Sequence, residues 1–369
     1  MRGPSVKPIV IAAGGTGGHF FPAEALTGEL IARGERVILM TDARSAGLRS
    51  AVGHEQHVLR GAGIAGRGAL RGGAAMVSMG VGIVQARAIL MRLGAGVVVA
   101  FGGYPSVAPV LATRLLRHRP SVVLHEQNAV LGRANRFLAR RADRLALSFA
   151  ATERVPERTT TVTTGNPVRP AIAALCSAGY VAPADRIRVL VLGGSLGARI
   201  FSDVVPPALA SLPEALRNRI SVVQQCRRED LERVRAAYQE SGIAAELAPF
   251  FSDVATRLVI AHLVIARAGA STVAELAVAG RPSILVPLPG AIDDHQTANA
   301  RALATAGGAW VMPQPEFTAD ALAGRLCGLL PEPGLLAGAA QAARSQARAE
   351  ATSTLATLVQ NLMRQEARP

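Results

Sequence analysis

Residues 10–19 read VIAAGGTGGH, and residues 189–198 read VLVLGGSLGA. In each, an apolar run enters a glycine-rich turn, and the first turn leads into AEALTGELIARG (23–34), whose apolar spacing is helical. Strand, glycine turn and helix open a crossover unit with parallel strands. Glycine loses more conformational freedom on ordering than any other residue, so four glycines around Thr16 mark backbone that something must approach closely. The recurrence of the pattern in the second half makes the chain two similar halves.

Working outward, IVIAAG, RVILMTD, GVVVAFGG, SVVLHEQN and RLALSFA read as strands buried on both faces, with helices such as 23–33 and 108–116 between them. A second series follows: RVLVLGGSLGAR, ISVVQQC, LVIARAGAS, SILVPLPG and AWVMPQ. Between the two lies ERTTTVTTGNPVRPAI (157–172), rich in threonine and flanked or broken by Pro156, Pro167 and Pro170, which reads as an interdomain crossover. The predicted fold class is α/β: two Rossmann-like domains with parallel sheets facing a deep cleft. The expected divisions are 1–165, 166–338 and a C-terminal helix in 339–369 that packs back on the first domain.

The 369 residues exceed what one compact core usually uses, and half of them are hydrophobic. Three cysteines, Cys176, Cys226 and Cys327, are too few and too scattered for a disulfide framework or a zinc site, and suit a reducing cytosol. The apolar run at the N-terminus is too short for a signal peptide, and no stretch reaches the roughly 20 apolar residues of a membrane span. A soluble or peripheral protein is expected. The formal charge of +14 comes from 40 Lys+Arg against 26 Asp+Glu, which suits polyanions, either nucleic acid or anionic lipid. No nucleic-acid-binding motif or aromatic–basic interleaving supports the first, so no nucleic-acid partner is expected.

Four turns present backbone at strand ends: Gly14–Gly18, FGGYPS (101–106), GGSLGA (193–198) and RAGASTVAEL (267–276), where Ser271 and Thr272 are placed to cap a helix. Helix N-termini and bare glycine backbone suit phosphate. No G-x-x-x-x-G-K-[ST] sequence is present, and Phe20 occupies the last glycine position of a dinucleotide fingerprint, so ATPase and hydride-transfer chemistry lose support. Polar groups gather at the same strand ends: His125, Glu126, Gln127 and Asn128; Arg169; Glu275; and His295, Gln296 and Asn299. Together they suit a phosphorylated, polyhydroxylated substrate. Asp293 and Asp294 do not form a metal cage, and neither a metal nor a cofactor is expected.

These stretches resemble the MurG family of glycosyltransferases: GGTGGHFFPAEAL, FGGYPS, LHEQNAVLGRANRFLA, GNPVR, VLGGSLGARIFSDVVP, RAGASTVAELAVAGRPSILVPLP and DHQTANA. They occur in family order from residue 9 to about residue 310. The resemblance implies the glycosyltransferase-B fold, UDP-N-acetylglucosamine as donor, lipid I as acceptor, and lipid II as product, formed with inversion. It implies that Ser195 and the backbone of Ala270, Ser271 and Thr272 hold the diphosphate. Glu275 takes the ribose hydroxyls, backbone at Phe251 edges the uracil, and Arg169 approaches the phosphates. Gln296 reads the sugar, with Asn128 and the Thr16–Gly17–Gly18 turn reaching it from the first domain. Gly102, Gly103, Tyr104 and His125 fall on the acceptor side. A helix N-terminus plus an arginine stabilises the departing UDP without a metal. An imidazole titrates near neutral pH, which makes His19 the preferred base for the acceptor hydroxyl; the alternatives are Glu126 or a water relay.

Three positions depart from the family pattern: Leu196 in GSLGA, Arg227 where H-Q-x-G commonly has its glycine, and Ala65 where many relatives carry arginine. Residues 67–93 mix Met76, Val77, Met79, Val81, Ile83, Val84, Ile89, Leu90 and Met91 with Arg67, Arg71, Arg87 and Arg92. That composition suits either a monotopic contact with an anionic membrane surface or a core helix with a basic outer face. The resemblance favours a peripheral position on the cytoplasmic face of the cell membrane. Rival functions are a UDP-N-acetylglucosamine 2-epimerase, a silent UDP-sugar-binding protein, and a transferase with another lipid acceptor.

Overall fold

The structure is a computed structural model, described for residues 7–14, 17–42, 55–59, 69–194 and 197–366, excluding the side chains of 69–75 and 366. The chain divides into two units: residues 1–169 with 350–369, and residues 170–349. The divisions thus fall at Arg169/Pro170 and Ala349/Glu350, later than the 165/166 and 338/339 expected from sequence.

In the first unit, strands β1 (Ile9–Ala12), β2 (Val37–Asp42), β3 (Glu55–Leu59), β4 (Val97–Ala100), β5 (Ser121–Glu126), β6 (Arg144–Leu147) and β7 (Thr161–Thr163) form one sheet. Its order is β3-β2-β1-β4-β5-β6-β7, and every pairing is parallel. The helices are α1 (Gly17–Ala32), α2 (Ala69–Leu93), α3 (Tyr104–Thr113) and α4 (Arg133–Leu138). Alternation along β1 builds the layers. Ile9 and Ile11 enter a cluster with Leu26 and Leu30 of α1, whereas Val10 enters another with Ala86 and Leu90 of α2. Each such fully buried aliphatic side chain contributes roughly 1.5–3 kcal/mol.

The second unit repeats the plan. Helix α5 (Pro170–Ala173) opens it, and strands β8 (Ile187–Leu192), β9 (Ile220–Gln225), β10 (Ala244–Ala248), β11 (Leu263–Ala266), β12 (Ser283–Leu285) and β13 (Ala309–Val311) form its sheet. The order is β10-β9-β8-β11-β12-β13, again parallel throughout. Helices α6 (Arg199–Ala210), α7 (Glu214–Arg217), α8 (Leu231–Glu240), α9 (Val254–Ile260), α10 (Ala270–Ala279), α11 (His295–Thr305), α12 (Ala319–Leu329) and α13 (Pro333–Ser345) cover it. In both sheets the direction of crossover reverses beside the first strand, at β1/β4 and at β8/β11. Ligands of open α/β sheets bind outside the carboxyl ends of strands at such a point.

Four expectations require correction. Strand β7 lies inside the stretch read as crossover, and β3 and β10 were missed, because all three are partly exposed and lack a continuous apolar run. Helix α1 starts at Gly17, so Gly17, Gly18 and His19 form its first turn. The tail is two helices rather than one. α13 stays with the second unit, while α14 (Ala351–Glu366) buries Leu355, Ala356, Val359 and Leu362 against the α1 side of the first sheet. Arg33 fastens it, donating to Thr357 Oγ1 at 2.9 Å, Gln360 Oε1 at 3.0 Å and the Ser353 carbonyl at 3.1 Å.

The fourth correction concerns α2. By length and composition, Met76–Leu93 is apolar enough to cross a membrane, and only 17% of it is buried. Arg87 and Arg92 are too widely spaced to break the run.

Candidate functional site

In the first unit the carboxyl ends of β1, β4 and β5 carry the candidate residues. After β4 the chain turns through Gly102 (φ 84°) and Gly103 (φ 68°), left-handed positions that favour glycine. The turn also leaves room for neighbours. A Cβ on Gly103 would lie 3.5 Å from His19 Cε1, and one on Gly102 would lie 3.2 Å from Asn135 Nδ2. His19 is half-buried in the first turn of α1, and Tyr104, the first residue of α3, is exposed. Arg169 lies over the Phe21 ring at 5.8 Å, which places its guanidinium beside the same helix start.

The Glu126 carboxylate is buried and accepts four hydrogen bonds. Oε1 takes the Asn128 N–H and Nδ2, both at 3.0 Å; Oε2 takes the Gly132 N–H and Asn135 Nδ2, both at 2.9 Å. A carboxylate engaged in this way has no lone pair directed at a substrate hydroxyl. Its geometry is that of a strut for Asn128 and the Gly132 turn, contrary to the expected catalytic role.

His125 also departs from expectation. It is fully buried: Nε2 donates to the Gly165 carbonyl at 3.0 Å, and Nδ1 accepts from Gln127 Nε2 at 2.9 Å. Burial lowers its pKa to about 4, assisted by the His19 charge and opposed by the Gly165 bond. The neutral ring ties β5 to the start of the GNPVR segment and has no free nitrogen for an acceptor.

In the second unit the glycine turn after β8 is sterically determined. A Cβ on Gly193 would meet the Ala198 nitrogen at 2.4 Å. Gln225, at the end of β9, holds the turn: Oε1 accepts the Gly193 N–H at 3.0 Å, and Nε2 donates to the carbonyls of Gly194 at 2.9 Å and Pro249 at 3.1 Å. The Pro249 segment continues to Phe251, which is buried with the Arg257 guanidinium 4.1 Å over its ring. Glu246 and Asp253 neutralise that arginine.

Helix α10 begins at the β11 end with Gly269 as N-cap and no side-chain cap, so Ser271 and Thr272 lie inside the first turn rather than capping it. The first intrahelical bond runs from Val273 N to Gly269 O, leaving the N–H groups of Ala270, Ser271 and Thr272 ahead of the ladder. The Ser271 hydroxyl is buried and has no hydrogen-bond partner among the described residues. Asn299 Nδ2 donates to the Ala268 carbonyl at 3.1 Å and fixes this turn from α11. Arg267 reaches the carbonyls of Val286 and Pro287 and, at 2.6 Å, Gln314 Oε1. Glu275 sits half-buried in the second turn of α10. Gln296 is the second residue of α11, where its Oε1 accepts the Leu288 N–H at 3.0 Å. Just before it, Asp293 (φ 56°) and Asp294 (φ 52°) are both left-handed, a strained pair.

Thr16, Ser195 and Leu196 lie outside the described residues, as do Ala65 and Arg67. Sequence reasoning missed Gln225, Asn135 and Arg267 as site residues, and Asn299 was named without its role. Their partners are distant in sequence, although Gln225 at the polar end of an apolar strand was a usable signal. No group of three or more His, Cys, Asp or Glu side chains suited to a metal occurs among the described residues.

The N-terminal-domain profile of glycosyltransferase family 28 matches residues 9–147, and the C-terminal-domain profile matches residues 188–355. The UDP-N-acetylglucosamine–N-acetylmuramyl-(pentapeptide) pyrophosphoryl-undecaprenol N-acetylglucosamine transferase of Granulibacter bethesdensis is 61% identical over 363 residues, covering 97% of this chain and 94% of that protein. The crystal structure of Acinetobacter baumannii MurG superposes with a TM-score of 0.79 at 32% identity, covering 96% of this chain and 99% of that one. A putative UDP-N-acetylglucosamine 2-epimerase from Listeria monocytogenes is 16% identical with a TM-score of 0.64, covering 94% of each chain, a likeness of fold alone. The two parallel-sheet units have the glycosyltransferase-B fold, and the chain belongs to the MurG family within glycosyltransferase family 28.

Proposed function

We propose that this chain moves N-acetylglucosamine from UDP-N-acetylglucosamine to the muramoyl 4-hydroxyl of lipid I with inversion, yielding lipid II for peptidoglycan. The observation that carries this reading is the likeness, over nearly the full length of both chains, to a transferase whose name states that activity. The epimerase alternative rests on fold alone.

The second unit takes the donor. The N–H groups of Ala270, Ser271 and Thr272 sit at a helix N-terminus and meet the diphosphate, whose charge grows as the glycosidic bond breaks. The Gly193–Gly194 turn, held by Gln225, lets backbone approach the same phosphates. Glu275 accepts hydrogen bonds from the ribose hydroxyls, the Phe251 backbone edges the uracil, Gln296 reads the sugar, and Ser195 adds a phosphate contact.

The first unit takes the acceptor, with Gly102, Gly103 and Tyr104 beside His19. His19 removes the proton from the acceptor hydroxyl, while Glu126 orients Asn128 towards the sugar. Gly17 and Gly18, in the first turn of α1, allow close approach of backbone.

The lipid acceptor requires a membrane surface, and α2 supplies the contact. Met76, Val77, Val81, Val84 and Met91 form an exposed apolar stripe, with Met76 77% and Val77 70% exposed. Ala86 and Leu90 of the same helix are core residues, so α2 lies on the fold with one face outward and docks peripherally on the cytoplasmic leaflet rather than spanning it. Arg87 and Arg92 complement anionic headgroups. Incubation with labelled UDP-N-acetylglucosamine and lipid I tests the function: label should enter a lipid-linked disaccharide, and label that stays wholly in UDP-sugar refutes it.

A further inference from the structure

Arg227 follows β9 by two residues, at the same end of the second sheet as the Gly193–Gly197 turn. Its aliphatic stem lies on Gly197: a Cβ there would stand 3.2 Å from Arg227 Cγ and 3.7 Å from Arg227 N. Gly197 is also left-handed, at φ 68°. Glycine at 197 therefore gives the arginine its seat.

The guanidinium has no hydrogen-bond or ion-pair partner among the described residues, and its Nε is buried without one. Neighbouring cations differ. Arg233 is paired with Asp203 at 2.6 Å and with Asp230 at 2.9 Å. Arg257 is held by Glu246 and Asp253, and Arg267 by backbone carbonyls and Gln314. A buried, unsatisfied N–H on a cation is costly unless an anion meets it. The turn on which this cation rests is the one that Gln225 shapes two residues earlier, with bare backbone suited to phosphate.

We propose that Arg227 is a donor-binding residue that hydrogen-bonds the diphosphate of the UDP-sugar, supplementing the α10 N-terminus with a full positive charge. The assignment rests on the second unit being the donor unit. Guanidinium–phosphate contacts are charge-assisted and can be bidentate, so the bond strengthens as the departing UDP gains charge.

The test compares UDP with uridine, which lacks the phosphates, by calorimetric titration of the full chain and of Arg227→Met and Arg227→Lys. Methionine keeps an apolar stem on Gly197, so the fold is spared. Arg227→Met should weaken UDP about tenfold or more while uridine stays within about twofold, and Arg227→Lys should fall between. UDP affinity unchanged in Arg227→Met would overturn the assignment, and so would equal weakening of UDP and uridine, which signals a distorted site. Failure of the unaltered chain to bind UDP would instead overturn the donor reading, and this proposal with it.

Discussion

Gln225 Oε1 accepts the N–H of Gly193 at 3.0 Å, so a side chain at the end of one strand fixes the glycine turn that follows its neighbour. The same carboxamide donates to Gly194 and Pro249, coupling the phosphate turn to the segment before Phe251. Gln225→Leu removes all three bonds and leaves a buried donor and two carbonyls unsatisfied. The expected result is a stability loss of about 1–3 kcal/mol and a KM for UDP-N-acetylglucosamine raised about tenfold or more. Denaturant titration and steady-state kinetics check both.

Glu126 and His19 separate cleanly by pH profile. Glu126→Gln replaces an acceptor with an NH2 group facing N–H donors from Asn128, Gly132 and Asn135, so turnover should drop while the acid limb of the rate profile keeps its midpoint. His19→Ala should lower turnover by about 10²–10⁴-fold and abolish that limb. A limb that disappears in Glu126→Gln and survives in His19→Ala would reverse the two roles.

His125 makes stability depend on pH. The folded ring holds its pKa near about 4, below the ordinary 6.5, because burial disfavours the charged form. Between those values the unfolded chain binds a proton that the folded one refuses, so stability falls as pH drops from about 6.5 to about 4 and levels off below. His125 alone contributes on the order of 3 kcal/mol across this window. His262, lowered chiefly by burial, acts in the same direction. Melting curves of His125→Gln should show a lower midpoint at neutral pH and a flatter pH dependence. An unchanged slope would show that folding leaves the pKa of this ring unshifted.

The double substitution Val77→Glu, Val84→Glu places charge on the exposed stripe of α2 without touching Ala86 or Leu90. Sedimentation with anionic vesicles should lose most of the bound protein, and turnover of a water-soluble acceptor should be unaffected. Salt should release the unaltered chain from the same vesicles. Indifference to both treatments would remove α2 from the membrane contact.

Central strands were plain in the sequence because IVIA, VVVA and LVIA are buried on both faces and need an unbroken apolar run. EQHVL, TVT and AAELA at the outer positions are part-exposed, and none carries the continuous apolar run that marks the central strands. The start of α1 was placed late because paired glycines weaken helical propensity, although the structure uses Gly17 and Gly18 there. Glycine turns were legible because close approach constrains residue type, as at Gly193 against Ala198. The presence of His125 and Glu126 at a strand end was equally plain. Their roles depend on Gly165, Gly132 and Asn135, partners that only the folded chain brings to them.

The most direct measurement follows both products of one reaction: UDP released, and disaccharide formed on the lipid carrier with its anomeric configuration read by NMR. Equal amounts of UDP and β-linked disaccharide from lipid I, with no turnover when lipid I is omitted, are the predicted result. Conversion of the UDP-sugar in the absence of any lipid acceptor, or an α-linked product, would contradict the account.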